Sequence, residues 1–140
     1  MKFALLLLAL VLAVPIITRL WPVSADKWHV DPFSAPKVNA RFCPEPGSRF
    51  ADSAPSLEPL AAVADNWPRT TRLAGSVADG RITWVTRSRI MGYPDVTTAE
   101  VRDGQLCIVA RQVIGSQDWG VNAERLNQWA LAAYGVNPEL

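Results

Sequence analysis

A chain of 140 residues with 14 Lys and Arg, 13 Asp and Glu and one histidine has a formal net charge of +1 and room for one domain. Without residues 1–25, which hold Lys2 and Arg19 and no acid, 12 basic groups face 13 acidic ones. That balance excludes a nucleic-acid footprint, which needs a clear basic excess.

Lys2 is followed by Phe3 to Ile17 without a charge. As helix this run covers about 22 Å, short of the roughly 30 Å hydrocarbon core of a bilayer. The length fits a secretory signal, and Val23-Ser24-Ala25 supplies the small residues a signal peptidase reads. Extending the span through residues 3–23, with Arg19 snorkelling and Trp21 at the lipid–water boundary, gives a membrane anchor instead. Arg19 is out of place between an apolar region and a cleavage site, so an uncleaved anchor within residues 1–25 is favoured. Positive charges flank the segment on both sides and do not fix its orientation. Either reading exports the domain, with the periplasm of a Gram-negative bacterium as the expected location.

Residues 26–55 form a Pro-rich arm that includes Pro32, Pro36, Pro44, Pro46 and Pro55. Proline excludes helix and lacks the donors of a central strand, so an extended arm is expected. Trp28, Val30, Phe33 and Phe42 give it apolar surface to bury, and His29 is expected to pack with Trp28 against the domain.

Residues 56–140 carry the periodicity of an α+β domain. Ser56 is the expected N-cap of a helix bearing Leu57, Leu60, Ala61 and Ala64 on one face and stopped by Pro68. Strands follow over 71–74, 81–90, 96–102 and 105–114, and Asp103-Gly104 suits a two-residue hairpin link with both φ positive. A last helix starts near Asn122, with Leu126, Trp129, Ala130 and Ala133 as its buried side. The expectation is a small antiparallel four-stranded sheet with a helix before and after it, α-β-β-β-β-α, and both helices on one face. Trp84 and Trp129 fall on apolar faces; Trp119 is expected to wedge under the last helix rather than stand free. Cys43 and Cys107 show no C-x-x-C spacing, which excludes a zinc or redox motif. Pairing depends on a Cα separation the sequence does not reveal, and two unpaired thiols are the favoured reading.

Arg87, Arg89 and Arg111 share one parity of two predicted strands, and each strand is followed by a glycine and an aspartate, Gly92 with Asp95 and Gly115 with Asp118. Residues two apart in a strand share a face, so these guanidinium groups are expected to converge on one side. The runs Arg69-Thr70-Thr71-Arg72-Leu73, Arg87 to Asp95 and Asp118-Trp119-Gly120-Val121-Asn122-Ala123-Glu124-Arg125 resemble an uncharacterised bacterial family, domain of unknown function family 1499. Trp28 to Pro32 resembles its short membrane-anchored members. The resemblance implies a motif and no settled activity. Ala110-Arg111-Gln112 and Gln117 replace hydroxyl residues common in that family, which leaves Arg111 and Asp118 as the transferable positions.

Two readings suit Arg87, Arg89, Asp95, Arg111, Asp118, Asn122 and Arg125. One is an ion-pair network fixing two turns to the last helix, with Asn122 as its cap. The other fills the shortage of negative charge with an anionic ligand or an acidic partner. Catalysis is disfavoured: the only histidine lies in the arm, hydrolase and nucleotide motifs are missing, and neighbouring arginines should push both aspartates down, the wrong way for a general acid. No catalytic residue, cofactor or metal site is assigned. The functional expectation is a membrane-tethered binding or accessory module, with a subunit of a membrane complex or an enzyme using Asp95 or Asp118 as alternatives.

Overall fold

Alternating apolar residues in four segments build most of the sheet. The computed structural model describes residues 2–46, 48 and 55–140. Its elements are α1 (Lys2–Arg19), α2 (Ala25–Trp28), β1 (Ala40–Phe42), α3 (Glu58–Asp65), β2 (Thr70–Ser76), β3 (Arg81–Arg87), β4 (Pro94–Arg102), β5 (Gln105–Gln112) and α4 (Val121–Tyr134). The class is α+β, but the antiparallel sheet has five strands rather than four, in the order β1-β5-β4-β3-β2. The added strand comes from the arm, where Ala40, Arg41 and Phe42 pair with Ala110, Val109 and Ile108. It lies at the sheet edge, where nearby prolines cost no ladder bonds.

Helices α3 and α4 cover one face. Leu60, Ala64, Leu126 and Trp129 bury themselves against Ile82, Trp84, Ala99, Leu106 and Ile108. Trp129 meets Trp84 and Trp67 edge-on, with ring centroids 5.7 and 6.0 Å apart. Such pairs add about 0.5–1.5 kcal/mol each beyond the area they bury. The Trp84 indole N–H donates to Asp65 at 2.8 Å, and Asp65 also pairs with Arg72, so the buried ring keeps its polar atom satisfied. Ser56 is not the α3 cap residue, a position held by Leu57, although its hydroxyl accepts the Glu58 N–H at 3.2 Å.

The arm covers the opposite face. Val30, Phe33, Ala35 and Val38 pack on Cys107 and Val109, and His29 Nδ1 lies 2.8 Å from the Thr83 hydroxyl. Cys43 and Cys107 form a disulfide, which corrects the expectation of two unpaired thiols. The cause is β1: Phe42 pairs with Ile108, so the next residue along the arm arrives beside Cys107.

Strand β3 stops at Arg87 rather than Ile90. The Ser88 N–H bonds the Tyr93 carbonyl and the Gly92 N–H bonds Ser88, closing a turn over 88–93. Strand β5 likewise stops at Gln112 rather than Ile114. Asp103 and Gly104 adopt φ of 51° and 76°, the hairpin link expected of them. Helix α1 exposes its side chains from Lys2 to Leu12 and is long and apolar enough to cross a membrane, which fits an anchor or a signal.

Candidate functional site

The sheet divides the seven candidate residues between its two faces. Val85 pairs with Val96 and Val96 with Arg111, so Arg111 shares the arm face with Val85 and, two residues on, Arg87. Arg89 does not join them; it lies beyond the strand end, exposed in the 88–93 turn. Asp95 pairs with Thr86 and Gln112, which turns it to the helix face. There Arg125 Nη1 approaches its carboxylate at 3.5 Å. The expected convergence is therefore corrected for Arg111, which the sheet separates from Asp95, whereas Arg87 and Arg89 at the end of β3 line one cavity with Asp95.

On the arm face, backbone carbonyls take the place of carboxylates. Arg87 Nη1 donates to the carbonyls of Thr18 at 3.0 Å and Gly92 at 3.2 Å, and Nη2 to Trp21 at 2.9 Å. Arg111 donates to the Trp28 carbonyl at 3.1 Å and lies 4.8 Å over the Trp28 ring. Burial lowers the Arg111 pKa, yet a guanidinium stays protonated in water-accessible protein. The missing negative charge is thus supplied in part by carbonyl dipoles and a π face of the N-terminal segment.

The end of α1 is fastened to the domain by the same turn. The Thr18 hydroxyl donates to the Met91 carbonyl, and Arg19 Nη2 donates to the Arg89 carbonyl at 3.3 Å. Gly92 has φ of 73° and lies so close to Arg19 that any side chain there would collide with it. Glycine is needed at this position twice over, for the left-handed backbone and for the approach of α1.

On the helix face, Arg125 is 6% exposed and hydrogen-bonds the buried Asn122 side chain. Asn122 is not the cap of α4. Gly120 holds the N-cap position, and the Asp118 carboxylate two residues earlier accepts the N–H groups of Gly120 at 3.1 Å and Asn122 at 3.0 Å. Burial alone would raise the Asp118 carboxyl, but hydrogen bonds from Asn122 and Gly120 outweigh it and hold the pKa below the ordinary range. Asp95 behaves in the opposite way. Its burial outweighs the attraction of Arg125, with Asp118 adding repulsion, and its pKa is raised. The expected downward shift fails for Asp95, and for Asp118 the direction agrees but the cause is hydrogen bonds from Asn122 and Gly120 rather than neighbouring arginines.

Trp119 is 91% exposed with φ of 55°, so it does not wedge under α4. It borders a cavity of about 480 Å³ whose lining includes Asp95, Arg125, Arg87 and Arg89. A second cavity of about 480 Å³ adjoins it at the foot of α1. Its lining is Arg19, Arg69, Thr70, Thr71, Arg87, Ser88, Arg89 and Gly92, four arginines without an acid. Among the described residues, none of these four arginines forms an ion pair. Arg19 and Arg69 were not expected at a site; the misfit of Arg19 in a signal sequence was the available signal. No group of three His, Cys, Asp or Glu placed to hold a metal occurs among the described residues.

No family model, no curated protein and no solved structure matches the chain.

Proposed function

We propose that this chain is a membrane-tethered, extracytoplasmic, non-catalytic binding module in which the retained end of the anchor forms one wall of a site for an anionic group. The observation that carries the reading is the cavity lined by Arg19, Arg69, Arg87 and Arg89 with no carboxylate among its lining residues. Guanidinium forks match carboxylate and phosphate oxygens, and their mutual repulsion falls when an anion enters. Arg87 uses its donors on carbonyls and contributes charge, while the exposed Arg89 side chain is free to turn toward a ligand. Retention of the anchor is part of the proposal. Cleavage after Ala25 would take the Thr18 and Trp21 carbonyls from Arg87 and remove Arg19 from its place beside Gly92.

The test is calorimetric titration of pyrophosphate into the full chain held in phosphatidylcholine nanodiscs. Binding is expected, with a loss of at least about tenfold when Arg69→Gln and Arg89→Gln are combined. Absence of binding, or binding indifferent to both substitutions, contradicts the reading.

A further inference from the structure

Resting on the reading of the arginine cavity as an anion site, we infer that the anion it takes is the phosphate of an anionic phospholipid in the leaflet beside α1. The domain then seats on the bilayer surface through the 88–93 turn.

Position is the first argument. Helix α1 has 18 residues, about 27 Å of helix, so its Arg19 end reaches the level of the headgroups when its apolar length lies in hydrocarbon. The 88–93 turn is bonded to that end through Thr18 to Met91 and Arg19 to Arg89. The cavity therefore opens where lipid phosphates lie.

The flanks of the cavity supply the second argument. Ile90, between Arg89 and Met91, is 76% exposed at the tip of the turn. Across the neighbouring cavity, which shares Arg69, Arg87, Ser88 and Arg89, stand the exposed Trp119 and Val121. Apolar side chains beside arginines suit the lipid–water boundary, where tryptophan rings settle and guanidinium groups meet phosphates. A site for a soluble phosphate needs the arginines and hydroxyls but gains nothing from Ile90. The apolar flank favours the lipid.

Chemistry is the third. A phosphate offers several acceptor oxygens to forked donors, and the Thr71 and Ser88 hydroxyls lie in the same lining. The Ser88 oxygen accepts the Tyr93 N–H at 3.0 Å, which leaves its O–H to donate.

The experiment compares amide exchange at Ser88 and Gly92, whose N–H groups close the turn, in the full chain under three conditions. These are phosphatidylcholine nanodiscs, nanodiscs with equal phosphatidylcholine and phosphatidylglycerol, and phosphatidylcholine nanodiscs with added pyrophosphate. Phosphatidylglycerol should slow exchange about thirtyfold, and Arg89→Gln, whose side chain makes no bond within the described fold, should remove about fivefold of that. Slowing by pyrophosphate without slowing by phosphatidylglycerol overturns the lipid assignment and leaves the anion site standing. No slowing by either probe overturns both. Slowing by phosphatidylglycerol that survives Arg69→Gln with Arg89→Gln overturns the assignment to this cavity.

Discussion

Replacing Arg87 by methionine keeps most of the aliphatic stem and deletes three bonds, two that hold the end of the N-terminal segment to the sheet and one that holds the 88–93 turn. Two of them, to Thr18 at 3.0 Å and Gly92 at 3.2 Å, are partly buried; the third, to Trp21 at 2.9 Å, is exposed. A hydrogen bond from a charged donor contributes about 1.5–3 kcal/mol in protected surroundings and close to nothing in open water. Counting the two protected bonds at the low end, because water can reach the freed carbonyls, gives a loss of about 3 kcal/mol. A small domain has about 5–15 kcal/mol in all, so the variant should remain folded and measurably weakened. Urea unfolding of the full chain in micelles gives the loss, with coincident probes checking two-state behaviour. Trypsin cleavage after Arg19 reports the local release, and it should accelerate together with the stability loss. A change below about 1 kcal/mol with unchanged cleavage at Arg19 would refute the clamp.

Replacing Cys43 and Cys107 together by alanine opens a loop with a sequence separation of 64 and should lower stability by about 4 kcal/mol on loop-entropy grounds. A urea midpoint unmoved under non-reducing conditions would contradict this. The two aspartates should pull in opposite directions with pH. Asp118 has a lowered folded pKa, so its contribution is present above the unfolded value and lost as pH falls through the folded one. Asp118→Asn should therefore cost stability at neutral pH and little in strong acid. Asp95 has a raised folded pKa, so its contribution is present below the unfolded value and lost as pH rises through the folded one. Unfolding curves across the acid range for Asp118→Asn and Asp95→Asn check both signs, and a parallel offset at every pH would contradict them.

The helix-covered face was legible because long alternating runs leave little freedom. Ile82 with Trp84, and Leu106 with Ile108 and Ala110, could only face a common core. The Asp103-Gly104 link was legible for the same local reason. Strand β1 was not, since three residues among prolines carry no period, and its partner β5 lies more than sixty residues away. The disulfide was hidden with it. Parity placed Arg87 and Arg111 on one face correctly, because a strand's period is fixed at two. Parity could not say that β3 ends at Arg87, nor that the 88–93 turn sets Pro94, not Asp95, opposite Arg87. That single register step sent Asp95 to the other face. The end of α1 was missed as a binding partner because carbonyl acceptors leave no mark in a sequence.

The central physical claim is that Thr18 and Arg19, at the end of the apolar helix, and Trp21 just after it belong to the folded domain. Intact-mass spectrometry of the untagged protein extracted from its native membranes tests this most directly. The expected species retains the N-terminal segment, with Thr18, Arg19 and Trp21 still attached. A mature species beginning at Asp26 would contradict it.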